Sequence, residues 1–451
     1  MAKKNEQDNL MEKIISLCKR RGFIFPGSEI YGGLANSYDY GPLGVELFRN
    51  ISNLWWKKFV HERPDMLGIR GPVIMNPKVW EASGHIKNFT DPLVECKFCH
   101  MRLRSDKKED IKDHEASHKG KTVEWTEPKN FNLLFKTFIG TVEDSTSTTY
   151  LRGETAQTMF TDFKLILDTM RQKLPFGIAQ IGRSFRNEIT TGNLIFRTKE
   201  FTIAELEYFV NPKEDEGAFE EWLKYQQDFF INDLGIKKEN IKTVDLPKDE
   251  LAFYSKRTVD TYYKFPFGWD EMAGLANRTD FDLKNHIELS GVNLKYKDSN
   301  TNEEFIPFVI EPTFGLDRLM LAVLTDAYTE SEARSGKEGA VHETEVTLKL
   351  SKALAPIKIA VLPLSRKEEL TMPAQEIYKT LRQNWMCQYD ETASIGKRYR
   401  RQDEIGTPYC VTYDFDSVGD KSVTVRDRDT MEQERIKVDE LVGYFKEKLD
   451  A

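Results

Sequence analysis

Between Gln180 and Phe209 the chain reads QIGRSFRNEITTGNLIFRTKEFTIAELEYF, a stretch that gathers Arg186, Asn187, Glu188, Phe196, Arg197 and Phe201. Guanidinium groups grip phosphate oxygens through paired N–H donors, and an aromatic face stacks a nucleobase. These residue types in this order suit a nucleotide. Read without its surroundings, the same text also describes a salt-bridged hairpin with Phe201 in the core. Far downstream, IEPTFGLDRLMLAVL sets Glu311, Thr313, Gly315 and Asp317 ahead of Arg318, where an apolar helix begins. That arginine can reach the far end of the same polyphosphate.

Two further clusters carry metal or acid chemistry. Cys96-x-x-Cys99 and His114-x-x-x-His118 have the spacing of tetrahedral zinc ligands, with the chain doubling back so that the pairs meet. The interval HMRLRSDKKEDIKD holds few apolar residues to build a finger core, which leaves a metal-free insertion as the alternative. In FPFGWDEMAGLANRTDFDLKNH, the side chains of Asp270, Glu271, Arg278, Asp280, Asp282 and His286 form either the polar wall of a site or a buried ion network.

Elements that position these groups follow from periodicity. Ile181 to Glu188 and the run from Phe196 onward alternate as strands, with Thr190, Thr191, Gly192 and Asn193 supplying the turn. On such strands Arg186 and Glu188 share one face, as do Arg197 and Phe201. Pro42 opens a helix whose Leu43, Leu47, Ile51, Leu54 and Trp55 recur at helical spacing. Glu154 stands at the start of an amphipathic helix over 155–171, where the helix dipole favours a carboxylate. Residues 211–264 read as a charged helical and loop insertion.

Around Leu350 to Pro356 the composition shifts, and strand, helix, strand patterns then predict a smaller α/β module. Its strongest basic run is Lys397, Arg398, Arg400 and Arg401 around Tyr399, suited to RNA phosphates and base stacking, or else to a solvated helix face. A chain of 451 residues, 39% hydrophobic and 31% charged, has room for two or three domains and is neither disordered nor membrane-like. No apolar run is long enough to span a bilayer, and MAKKNEQDNL is no secretory leader. A net charge of −8 excludes nonspecific coating of nucleic acid. Five cysteines, an odd number in a long chain, fit reduced thiols in the cytoplasm.

Phe185-Arg186-x-Glu188 with Arg197-x-x-x-Phe201, and Gly315-x-x-Arg318 at the head of a helix, resemble the second and third signature motifs of class II aminoacyl-tRNA synthetases. NSYDYGPLGVEL, NPKVWEASGH, NFNLLFKT, LRGETAQ, GLANRTDFDL and IGKRYRRQDEIGTPYCV extend the likeness over nearly the whole chain, to bacterial homodimeric glycyl-tRNA synthetases. The resemblance implies an α+β fold: an antiparallel catalytic sheet flanked by helices in residues 1–355, with insertions at about 94–125 and 211–264, and an α/β anticodon-binding domain in 356–451. It implies ATP and magnesium as cofactors, with glycine and its tRNA as substrates. It also implies a homodimer whose interface includes the Pro42 helix and a strand through Val73 to Pro77.

By the same resemblance, Arg186 holds the α-phosphate, Arg197 and Arg318 the outer phosphates, Phe201 stacks adenine and Glu188 accepts from its amino group. Asn187, Phe196, Met272, Gly315 and Asp317 complete the nucleotide site, with Glu271 and Glu311 as magnesium ligands. Glu154, Glu205 and Glu311 surround the glycine ammonium and Arg278 takes its carboxylate, with Arg104, Phe201, Thr313 and Gly315 lining the pocket. Lys397, Arg398, Arg400 and Arg401 are the tRNA contacts. The chain departs from the family at Lys107 (usually histidine), Gly153 (usually proline), Thr313 (usually serine) and Thr202-Ile203-Ala204 (usually more polar). In place of the family's four-cysteine zinc pattern it keeps only the first cysteine pair.

Overall fold

Alternating burial builds the main sheet. In a computed structural model, which describes residues 2–119, 121–144, 146–189, 191–332 and 344–449, seven strands pair in it. They are β1 (Met66–Gly68), β2 (Phe176–Phe185), β3 (Glu200–Val210), β4 (Ile241–Asp245), β5 (Arg257–Phe265), β6 (Gly268–Thr279) and β7 (Phe308–Gly315). Their order is β4-β5-β6-β7-β3-β2-β1. All neighbours run antiparallel except β1 and β2. The register sets Glu205 of β3 between Gln180 of β2 and Thr313 of β7.

Residues 211–264 are not the helical and loop insertion expected. They supply β4 and β5, and the Asp215–Asp228 helix buries Phe219 and Trp222 while Gln226 Nε2 donates to the β6 carbonyl of Gly274 at 3.0 Å. The physical signal was present, since Val259, Thr261, Tyr263 and Phe265 are buried at every second position of β5.

The nucleotide hairpin also differs from its prediction. β2 stops at Phe185 and β3 starts at Glu200, so Arg186, Glu188 and Arg197 lie in the connection and the face-sharing argument does not apply to them. Asn193 and Leu194 take left-handed φ of 59° and 57°, turning the chain into a short 3₁₀ segment that buries Leu194, Ile195 and Phe196. Thr190, assigned to the turn, lies outside the described residues.

Pro42 does open a helix, α1 (Pro42–Trp56), but its stripe faces inward. Leu47, Ile51 and Trp55 are buried, and the Trp55 ring meets Phe314 of β7 edge-on at 5.8 Å between centroids. Apolar burial of this kind contributes roughly 1.5–3 kcal/mol per side chain, so the stripe belongs to the core beneath the main sheet. Val73 to Pro77 is no strand: it makes a single bridge, Ile74 with Leu151, before Pro77 starts the Pro77–Ala82 helix. The expected helix over 155–171 is two, Ala156–Thr161 and Phe163–Thr169, broken at Asp162.

A three-stranded sheet of Thr90–Glu95, Arg102–Arg104 and Lys129–Asn132, with the Lys108–Ser117 helix, projects from this core. Beyond residue 358 a second core forms around Ile359, Val361, Val411 and Phe445. Its five strands begin with three in parallel, Cys387–Tyr389, Ile359–Pro363 and Tyr409–Tyr413, and continue antiparallel through Ser422–Asp427 and Gln433–Lys437.

Candidate active site

Three arginines from two stretches of chain line one cavity. Arg186 and Arg197 come from the β2–β3 connection and Arg318 from the first turn of α2 (Leu316–Ala327), facing Glu188, Phe201, Glu271 and Thr313 across the same space. Phe196, Met272, Gly315 and Asp317 also reach it, while Asn187 does not line it. Backbone contacts fix the guanidinium groups. Arg186 Nε donates to the Gly153 carbonyl at 3.1 Å and its guanidinium lies 5.2 Å from the Phe89 ring and 5.4 Å from the Phe201 ring. Arg318 Nε donates to the Phe196 carbonyl at 3.2 Å, Nη1 to the Glu271 carbonyl at 3.0 Å, and the Glu271 carboxylate is 3.3 Å away.

The proline-to-glycine departure has a steric setting. A Cβ at Gly153 would lie 3.1 Å from Leu134 and 3.2 Å from Phe89, so the loop that carries the Arg186 acceptor is packed from both sides. Gly182 is more restrictive: a Cβ there would fall 2.1 Å from the Arg152 guanidinium, which crosses β2 to donate to the carbonyls of Arg183, Gly71 and Pro72. Asp317 is occupied in holding the fold. It accepts from the Tyr40 hydroxyl and the Thr202 amide, and burial raises its carboxyl to about 6 despite those bonds.

Beside the cavity, three carboxylates from separate parts of the chain crowd around one cation. Arg278 is 1% exposed; Nε and Nη2 donate to Asp282 at 2.8 and 3.0 Å, and Nη1 donates to Glu311 at 2.7 Å. Its Nη2 also lies 3.5 Å from Glu154, and the Tyr254 ring stacks 3.8 Å from the guanidinium carbon. Arg278 is therefore buried with three of its five N–H donors on Asp282 and Glu311, and is not an open clamp for a substrate carboxylate, the role predicted for it. Glu311 is committed to Arg278 and does not line the arginine-lined cavity, so the expectation that it joins Glu271 on magnesium is corrected; Glu271 alone of the pair reaches that space.

The acids divide by their surroundings. Burial pushes Glu154 up, but His85 and Arg278 more than offset it and hold its carboxyl below the ordinary range. Burial and the neighbouring Glu154 raise Glu205, although the Thr155 amide donates to it at 2.7 Å. Burial lifts Glu311 to about 8 against the pull of Arg278. Sequence reasoning missed a further acid, Glu207, which is fully buried next to Glu311 in the β3–β7 register. Neither of its carboxylate oxygens has a hydrogen-bond partner among the described residues. Its spacing of two from Glu205 on a strand was the signal.

Cys96, Cys99, His114 and His118 present four ligand atoms within 4.8 Å of one another. Cys99 Sγ to His114 Nε2 is 3.5 Å, Cys96 Sγ to His118 Nε2 is 3.9 Å, and the two histidine nitrogens are 3.1 Å apart. A zinc tetrahedron with ordinary Zn–S and Zn–N bonds has edges of about 3.3–3.8 Å, so these residues fit the metal. Arg104, expected near the substrate, is instead paired with Asp91 at 3.0 Å and Asp106 at 2.7 Å and does not line the cavity.

The basic run in the C-terminal unit also changes meaning. Arg398 is 2% exposed and donates to the carbonyls of Pro363, Asp390 and Leu364. Arg401 pairs with Asp390, Arg400 pairs with Glu345 at 2.7 Å, and the Tyr399 hydroxyl bonds Thr412 at 2.6 Å. Arg398 is thus a structural bolt, not a tRNA contact, and Tyr399 is not free to stack a base. Lys397 is the exposed member of the run.

Residues 141–327 match the family described as tRNA synthetase class II core domain (G, H, P, S and T), and residues 358–448 match the anticodon binding domain. Among curated proteins, the glycine–tRNA ligase of Acetivibrio thermocellus is 52% identical over 99% of this chain and 100% of the relative. That of Caldanaerobacter subterraneus subsp. tengcongensis is 51% identical over 97% of this chain and 98% of its own length. The Geobacillus kaustophilus ligase is 51% identical over 97% and 99% respectively.

Proposed function

The chain belongs to the glycine–tRNA ligases of the class II tRNA synthetase group, and from that premise we propose how its residues divide the work. It attaches glycine to its tRNA in two ATP-driven steps. The glycine carboxylate attacks the α-phosphorus of ATP, pyrophosphate leaves, and a terminal ribose hydroxyl of the tRNA then takes the glycyl group from the adenylate with release of AMP. Two anions meet in the first step, so catalysis is positioning and charge neutralisation, and no protein nucleophile is required.

Arg186 holds the α-phosphate as its charge builds, Arg197 and Arg318 hold the outer phosphates, and Phe201 stacks adenine. Asn187 stands beside these groups in the same connection. Glu188 accepts from the adenine amino group. Glu271 is the protein carboxylate that would hold a magnesium ion, which would supply positive charge against the phosphates; the 3.3 Å pairing of Glu271 with Arg318 keeps both groups at the cavity wall. The observation that supports this division most is that Arg186 and Arg197 of one connection and Arg318, more than a hundred residues downstream, face one cavity beside Thr313.

Glu154, the acid held below the ordinary carboxylate range, receives the ammonium group, with Glu205 and the Arg278-paired Glu311 beside it. A hydrophobic wall distinguishes substrates by only about 1–3 kcal/mol per methylene, so glycine is selected by a cage too tight for an α-methyl. Arg278 works from behind, holding the cage acids together. The test is amino-acid-dependent ATP–pyrophosphate exchange. Glycine alone should support it, and exchange with threonine or proline instead would reassign the substrate.

Cys96, Cys99, His114 and His118 bind a structural zinc ion, supported by the convergence of their ligand atoms. The enzyme works as a homodimer; Ile30, Tyr31 and Leu34, 88%, 87% and 70% exposed, form an apolar face suited to a second subunit. Its compartment is the cytoplasm, consistent with five unpaired cysteines and with no described helix long and apolar enough to cross a membrane. Lys397, with Arg400 and Arg401 behind it, contributes positive potential to the tRNA-facing side of the C-terminal unit.

A further inference from the structure

A histidine outside both signature motifs sits behind the ammonium cage. His85 opens the short His85–Asn88 helix and is 1% exposed, walled by the rings of Trp80 at 5.3 Å, Phe89 at 5.2 Å and Phe253 at 6.2 Å. Its Nε2 lies 3.2 Å from Glu154 Oε2, and its Nδ1 lies 2.8 Å from the hydroxyl of Ser83, itself 1% exposed. Glu154 divides its two oxygens: Oε1 takes Gln157 Nε2 at 2.8 Å and the more distant Arg278, whereas Oε2 has His85 as its side-chain partner among the described residues.

The hydrogen-bond pattern gives each ring nitrogen a partner. Nδ1 and the Ser83 hydroxyl share one hydrogen bond, and Nε2 faces the carboxylate, to whose ionised oxygen only an Nε2–H can bond. We propose that His85, oriented by Ser83, is a positioning residue for substrate binding, its Nε2–H holding Glu154 ionised and aimed at the ammonium group of glycine. The carboxylate needs such a partner because Arg278 is already shared by Asp282 and Glu311. A chain of hydroxyl, imidazole and carboxylate restricts the Glu154 rotamer before substrate arrives. This inference rests on glycine being the substrate.

The test is pyrophosphate exchange by the full chain, with KM measured separately for glycine and ATP. His85→Ala should raise the glycine KM about tenfold or more, as expected for loss of a buried hydrogen bond to a charged group, and leave the ATP KM within about twofold. His85→Gln, whose amide offers a donor to Glu154 and an acceptor to Ser83, should stay within about threefold of the parent. Ser83→Ala should fall between them. An unchanged glycine KM in folded His85→Ala would overturn the proposal. So would equal rises in both KM values, the mark of a packing role, or a His85→Gln variant no better than alanine. If the parent itself shows no glycine-dependent exchange, the substrate assignment fails instead, and this inference with it.

Discussion

Replacing Glu207 by glutamine should make the protein more stable, and increasingly so as pH rises. Glu207 is fully buried, its two carboxylate oxygens have no partner among the described residues, and it lies beside Glu311 with Glu205 also near. Burial, then the negative charge of Glu311, raises its pKa well above the ordinary value. In the unfolded chain the same carboxyl ionises near pH 4.3. Above that pH the unfolded state has lost the proton that the folded state keeps, so stability falls by about 1.4 kcal/mol per pH unit until the folded pKa is reached. Glutamine reproduces the shape of the neutral acid and carries no such penalty. The advantage of Glu207→Gln should therefore grow at that slope through the range in which the folded site stays protonated. Chemical denaturation of both proteins at pH 5, 6, 7 and 8 measures it. A pH-independent difference, or a variant less stable than the parent at the upper end, would show that Glu207 is ionised and paired, and would refute the reasoning.

Other consequences can be checked by simpler means. Arg278→Met leaves Asp282 and Glu311 buried without their cation and should cost roughly 3–5 kcal/mol, visible as a lowered denaturation midpoint, whereas a neutral result would mean the acids are protonated together. Arg398→Ala leaves the carbonyls of Pro363, Leu364 and Asp390 unserved and should destabilise the C-terminal unit by about 1–3 kcal/mol, with the tRNA KM of the folded fraction unchanged; a selective rise in that KM would restore Arg398 as a tRNA contact. Metal analysis of the purified chain should find one zinc per subunit, reduced by Cys99→Ser, and a zinc-free chain that keeps the Cys96–His118 fold would remove the metal assignment.

Sequence conveyed the site more faithfully than the elements around it. Arg186, Arg197, Arg318 and Phe201 were legible because their spacing survives any local detail of backbone. Phe201 does lie on the return strand and Arg318 at the head of a helix, but the placement of Arg186, Glu188 and Arg197 on strands was wrong because Asn193 and Leu194 turn left-handed and bury Leu194 to Phe196 in a 3₁₀ segment, which alternation does not encode. Arg398 misled in the other direction: a basic run invites a solvent reading, yet Arg398, Gln402 and Ile405 recur at helical spacing on the buried face, a pattern that was available. Arg278 could be read as a site wall or as a buried network, and the structure shows the network, with Asp282, Glu311 and Glu154 around its guanidinium. His85, Tyr254 and Glu207 were passed over for a plainer reason, although the spacing of Glu207 from Glu205 on one strand was a trace of it. Each matters only through a neighbour far away in sequence, Glu154, Arg278 and Glu311 respectively.

The measurement closest to the central claim is glycine-dependent ATP–pyrophosphate exchange by the parent chain and by Arg186→Ala. Arg186 is anchored to the Gly153 carbonyl at the lip of the cavity that it shares with Arg197 and Arg318. Loss of one charge-stabilising donor in a desolvated site costs about 10²–10³-fold in rate, so the variant should remain folded while its exchange rate falls at least that far. Exchange by folded Arg186→Ala at the parent rate would contradict the account, since the α-phosphate would then be held by something other than these arginines.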